Sequence, residues 1–196
     1  MQRVRNVTKV VRGSEEIGYK GENMDDFSTY QGALNIFRNV NCVGQTENCI
    51  IGTIVDYSKS SEFTASMAGY GALGPAGYVV GNMLGRERDE RISRLNSFLF
   101  ALLNFTEFGV GIMPLQGGGL KINPQNLTPC YDAFFFLYYQ ELSGIKAKNY
   151  YGIRKSVKSI KITLTNNKKL FFNANMSEKT LPYQENAMKL VVGRFV

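Results

Sequence analysis

Polar and apolar positions alternate most regularly over residues 157–173. Ile160, Ile162 and Leu164 alternate with Lys161 and Thr163, which is the period of a half-buried strand. Asn166-Asn167 then reads as a two-residue turn, because Asn tolerates the positive φ of primed hairpin turns. Residues 168–174 return as the partner strand. Upstream, 97–105 and 108–115 are apolar runs around Thr106-Glu107 and predict a hairpin. Residues 133–141 predict a very apolar strand, buried on both faces or lying at a sheet junction. Residues 4–11, 49–57, 144–150 and 153–165 complete the strand-like segments.

Two segments carry helical spacing instead. Ser28 with Gln31 makes a capping-box pattern behind Phe27. A helix over 29–39 would place Ala33, Leu34, Phe37 and Val40 on one face. At the other end, Thr180 caps a helix with Pro182 in its first turn. It runs to about Phe195, with Ala187, Leu190, Val191 and Phe195 facing the core. Residues 86–95 predict a solvated turn or two of helix, with Glu87–Arg91 and Glu90–Arg94 as i,i+4 pairs. Residues 117–119 are a glycine connection and 120–130 a loop with two prolines.

One segment fits neither period. From Phe63 to Gly85 there are 23 residues without a charge, but six are Gly and Pro75 interrupts them. The length suits a membrane span; the composition does not. Gly77, Gly81 and Gly85 recur every fourth residue, the spacing that lets elements approach closely. The segment reads as close packing on the protein's own body, or as a subunit contact.

At 44% hydrophobic and 20% charged, the 196 residues are rich enough in apolar side chains for a real core. The chain divides into an N-terminal strand–helix portion, 1–48, and a segment 49–196 with a Gly-rich and charged insertion at 58–96. The absence of His removes Ser-His-Asp and Cys-His catalysis and His-ligated metals. Cys42, Cys49 and Cys130 are an odd set at the wrong spacing for zinc, so they read as reduced thiols. No phosphate-binding glycine loop, nucleophile elbow or dinucleotide fingerprint is present. Neither an enzyme nor a cofactor is expected. The N-terminal residues show no apolar run of signal-peptide length, which predicts a cytoplasmic protein, peripheral to the membrane at most.

Charge changes the picture more than composition does. Between Leu142 and Ser177 there is no Asp or Glu, while Lys146, Lys148, Arg154, Lys155, Lys158, Lys161, Lys168 and Lys169 supply eight cations. The rest of the chain sets 15 cations against all 16 carboxylates, so this stretch holds the whole excess behind a net charge of +7. Lys161 points away from Ile160 and Ile162, and Lys158 falls on their side, near the strand's entrance. A one-sided basic strand beside a basic hairpin tip makes a positive face for an anionic membrane surface or an acidic protein. Nucleic acid is less suited, because few aromatics interleave with the cations. The plainer reading is that edge lysines keep a sheet from aggregating.

A meander of antiparallel strands closing with a hairpin and one amphipathic helix resembles the pleckstrin-homology-like (PH-like) superfold. KSIKITLTNNKKLFFNANMSEKTLPYQENAMKLV is similar to the last two strands and closing helix of bacterial PH-like domains. SFLFALLNFTEFGVGIMPL is similar to an early strand pair. The resemblance covers about 97–196. It implies an α+β fold, an antiparallel barrel or sandwich closed by the C-terminal helix. It implies a binding or scaffolding module rather than an enzyme. It does not imply inositol-phosphate binding, since only Lys59 follows Asp56 before the Gly-rich run. The alternative is a structural protein that forms homo-oligomers through 64–85.

Overall fold

The computed structural model describes residues 26–55, 90–119, 122–150 and 154–195. The strand expected at 4–11 and the Gly-rich run with Gly77, Gly81 and Gly85 lie outside them. Eight antiparallel strands form one sheet: β1 (Asn48–Ile54), β2 (Phe100–Phe105), β3 (Gly109–Gly117), β4 (Leu127–Pro129), β5 (Phe135–Tyr138), β6 (Leu142–Tyr150), β7 (Arg154–Leu164) and β8 (Lys169–Asn175). Among the described residues three helices accompany them: α1 (Tyr30–Arg38), α2 (Glu90–Leu95) and α3 (Gln184–Phe195).

The strand order is β4-β3-β2-β1-β8-β7-β6, and β5 shares the outer edge of β3 with β4. The α+β class and the C-terminal helix agree with the sequence. The expected closure does not. The sheet is open, and β5 and β6 are joined by a single 3-10 turn, Tyr139–Glu141, rather than by a ladder. Three residues of 3-10 helix advance only about 6 Å, so the two ends of the sheet curl towards each other. Side chains occupy this corner. The Tyr139 hydroxyl donates to the Thr106 carbonyl (2.9 Å), and the Arg194 guanidinium lies 5.1 Å from the Tyr139 ring centre. Phe195 packs on Phe105.

Two apolar clusters lie on opposite faces of the sheet. Ile50, Leu103, Phe105, Ile112, Ile160, Ile162 and Phe172 point to the inner face, under Ala187, Met188 and Val191 of α3. Cys49, Ile51, Leu102, Met113 and Leu115 point to the outer face, under Ala33, Ile36 and Phe37 of α1. Every residue of β2 is therefore buried. That is why its sequence does not alternate: five of its six residues are apolar, and the exception, Asn104, is buried with its Nδ2 donating to the Cys42 carbonyl.

Several local expectations shift. The α1 N-cap is Thr29, not Ser28: its hydroxyl accepts from the Gly32 N–H at 3.1 Å. The buried face is Ala33, Leu34, Ile36 and Phe37, with Val40 half-buried. α3 begins four residues beyond Thr180, because a Glu178–Leu181 bridge holds that segment as a turn and the Thr180 hydroxyl donates to the Ile122 carbonyl. Leu190 is 60% exposed, and Met188 takes the place expected for it. Burial follows Gln184, Ala187, Met188 and Val191, the stripe that faces the sheet.

The run 133–141 is not one strand. It breaks into a 3-10 turn at Tyr131–Ala133, the four-residue β5, and the corner turn. Of β5 only Leu137 is buried, since β5 lies at the sheet edge. The loop 120–130 contains the short strand β4. The Asn166-Asn167 turn is a three-residue loop, because the Leu164 N–H donates to the Lys168 carbonyl. Asn167 alone takes a positive φ, 65°, so the turn is not of the primed type.

Glu107, at the β2–β3 hairpin tip, pins the loop that leads into β1. Its carboxylate accepts from the Gln45 N–H (2.8 Å), the Thr46 N–H (3.1 Å) and the Thr46 hydroxyl (3.1 Å). The Gln45 amide, followed by that of Glu107 itself and then that of Thr46, holds its pKa down to about 2, against an ordinary 4.5. The folded value is depressed. The clamp's contribution is therefore present above about pH 4.5 and is lost as pH falls towards 2. In a pH titration followed by amide proton shifts, Gln45 and Thr46 should move together with a midpoint near pH 2. In Glu107→Gln they should not titrate. Shifts with the midpoint of an ordinary glutamate would contradict the clamp.

Candidate anion-binding face

β6, β7 and β8 place the basic stretch. Their inward residues Ala147, Ile160, Ile162, Leu170, Phe172 and Ala174 join the core, so their alternate residues point outward. Register aligns these into cross-strand rows. Lys146 is opposite Lys161, which is opposite Phe171; Lys148 is opposite Ser159, which is opposite Asn173. Lys169, opposite Thr163, extends the face towards the hairpin tip.

The predicted residues divide accordingly. Lys146, Lys148 and Lys161 line a shallow groove of about 270 Å³ together with Asn149, Ser159 and Phe171. Lys155 is exposed near the start of β7, and Lys169 is exposed at the start of β8. Lys168 is half-buried in the turn, where its N–H donates to Asn166 Oδ1 at 3.1 Å. Lys158 does not belong to this face. It sits on the side of Ile160, as the alternation requires, and its ammonium donates to Asn149 Oδ1. Arg154 opens β7 opposite Tyr150. The contact segment Gly77, Gly81 and Gly85 lies outside the described residues.

No carboxylate among the described residues pairs with these lysines. The ion pairs found there are Arg91–Glu141 (3.5 Å) and Lys189–Glu185 (2.7 Å), both elsewhere. Like charges directly opposite one another on a sheet are destabilising, and Lys146–Lys161 is such a pair. Edge protection explains Lys146 and Lys148 on β6, an end strand. It does not explain Lys161, because β7 is hydrogen-bonded on both sides.

Other concavities carry different chemistry. A recess of about 710 Å³ lies between the start of α1 and the 3-10 turn Pro124–Asn126. Asp26 is the one ionisable side chain lining it among the described residues. A second groove, about 250 Å³, is lined by Cys42, Phe134 and Phe136 and rimmed by Val43, Phe108 and Tyr138. Phe108 is 60% exposed at the hairpin tip. The sequence reading missed this aromatic groove; its one legible sign is a Phe beside Glu107, where a tip ordinarily carries polar residues.

Cys42 and Cys49 are buried under α1 and Cys130 is half-buried; none is bonded to another. Burial is the main cause raising the Cys42 thiol to about 12, and Cys49 is also pushed well above the ordinary value. Both remain protonated near neutrality and are poor nucleophiles. The described residues contain no group of His, Cys, Asp and Glu that would hold a metal ion, and no helix among them is long and apolar enough to cross a membrane. No protein-family model, curated protein or solved structure matches the chain.

Proposed function

We propose that this chain is a non-enzymatic binding module of PH-like type whose basic face rests on an anionic membrane surface. The observation that carries the reading is Lys161. It is a cation on a doubly paired strand, set directly against Lys146, with no carboxylate among the described residues to offset it. A bound anion relieves that repulsion. The connectivity supports the PH-like part: β1, β2 and β3 pair in succession, β6, β7 and β8 likewise, the first strand meets the last, and α3 packs on the inner face.

A membrane suits the face better than an acidic protein, because the groove is shallow and its cations stand on flexible stems. Each Lys near an anionic surface contributes about 1 kcal/mol, so three give weak, salt-sensitive attachment. Co-sedimentation with neutral and anionic liposomes at low and high salt tests this. The wild type should pellet with anionic liposomes only, and less at high salt. The Lys146→Glu/Lys148→Glu/Lys161→Glu variant should bind roughly 100-fold more weakly, about 3 kcal/mol. Lys189→Glu should bind like the wild type, since Lys189 stands on α3, which covers the opposite face of the sheet. Absence of binding to anionic liposomes at low salt would reject the membrane role.

A further inference from the structure

Among the concavities, charged clusters, buried thiols and exposed aromatics, the groove between the two lysine rows carries the argument furthest. We infer that it is a phosphate-monoester site; this rests on the reading of the basic face and assigns it a ligand chemistry.

Ser159 is the smallest residue lining the groove. It lies in the middle strand, with Lys148 opposite it and Lys146 and Lys161 in the adjacent row. Cross-strand neighbours on one face lie about 5 Å apart and diagonal neighbours about 7–8 Å, well within the reach of a lysine stem. Three lysine stems and one hydroxyl therefore line a single depression of about 270 Å³, and each ammonium is within reach of an anion seated in it. Phe171 forms one wall, and the lysine stems add apolar surface around a cationic rim.

This donor set selects among anions. Among the described residues no arginine lines the groove, so they do not offer the planar, two-pronged recognition that suits carboxylates. Three point cations match a compact group with three acceptor oxygens and a charge of about −2, which is a phosphate monoester near neutral pH. A phosphodiester carries one negative charge and fewer free oxygens. The lysine stems give the ester's carbon body a surface to lie on. The same chemistry comes from a lipid headgroup with a terminal phosphate or from a small soluble phosphate.

The test compares vesicles of phosphatidic acid with vesicles of phosphatidylserine at matched surface charge, using the whole chain. Phosphatidic acid should bind at least about fivefold more tightly, the equivalent of one further lysine contact. That preference should fade as pH falls through about 6, where the monoester loses its second charge while the lysines keep theirs. Ser159→Leu fills the groove and leaves every lysine in place. It should bind both vesicles equally, and its thermal midpoint should match the wild type, because position 159 faces outward. Lys161→Gln should reduce the preference without changing the groove's floor.

A parallel arm follows the Ser159 and Lys161 amides by NMR during titration with inorganic phosphate, against chloride at equal ionic strength. Saturable shifts with phosphate, without vesicle binding, would place a soluble phosphate in the groove and reject the membrane reading alone. Equal binding of the two vesicles by the wild type, or an undiminished preference in Ser159→Leu, would overturn the monoester site and leave the basic face standing. No vesicle binding and no phosphate-specific shift would overturn both.

Discussion

Replacing Gln184 with Leu should lower the unfolding free energy by about 3 kcal/mol or more, although the two side chains are similar in size. β1 and β8 pair only at Thr53–Ile54 with Phe172–Asn173. Beside that short ladder, at Ile51, the strands part and the Gln184 side chain enters. The Ile51 N–H donates to Gln184 Oε1 (3.0 Å), and Gln184 Nε2 donates to the carbonyls of Ile51 (3.0 Å) and Asn175 (3.2 Å). The side-chain amide thus takes the role of a peptide group in the ladder, from the first turn of α3. It is fully buried. Leu would fill the space and leave one donor and two acceptors without partners. Each such group costs about 1–3 kcal/mol, which sets the size of the effect.

A second variant separates hydrogen bonding from packing. Gln184→Glu keeps an acceptor for Ile51 but, when ionised, has no proton to donate to either carbonyl. Burial raises the carboxyl's folded pKa above its unfolded value, so the protonated form is the one that folding favours. Its deficit relative to wild type should therefore shrink as pH falls and grow as pH rises. Urea unfolding of the three proteins at two pH values measures both effects. A Leu variant within about 1 kcal/mol of wild type would show that water supplies these bonds.

Phe37→Ala should cost about 3–5 kcal/mol, the usual range for removing a buried aromatic ring. Phe37 is completely buried and meets Phe134 edge-on, with ring centres 6.3 Å apart. The ring reaches the sheet because position 111 has no side chain. A Cβ on Gly111 would lie 3.1 Å from the Phe37 ring and 2.6 Å from Cys42 Sγ. The glycine here provides close approach between helix and strand rather than an unusual backbone angle. Thermal and urea unfolding should show the loss. A change below about 1 kcal/mol would mean that α1 is not anchored through this ring.

Much of the architecture was legible from short-range pattern. The alternation of Ile160, Ile162 and Leu164 with Lys161 correctly divided the core from the outer face, and it put Lys158 on the other side. The β2–β3 hairpin and the amphipathic ends were equally visible, because each is defined by neighbours a few residues away. Three features were not visible. The apolar run 133–141 is composed like a buried strand, yet its register on β3 makes it an edge and a corner. Thr29 and Ser28 are both good caps, and only the entry angle of the chain chose between them. Gln184 sits among residues of ordinary helical polarity, and nothing nearby marks it as a wedge in a sheet.

The sequence by itself determined the α+β class, most strand identities, the concentration of positive charge between Leu142 and Ser177, and the absence of histidine chemistry. These depend on composition and on periods of two and 3.6 residues, which side chains report locally. The tertiary structure decided which lysines share a row, that Ser159 neighbours three of them, that the sheet curls without closing, and that Gln184 replaces a ladder bond. Each of these is a relation between residues distant along the chain, set by strand register and by how the core fills. Spacing along one segment carries no information about the partner across the sheet.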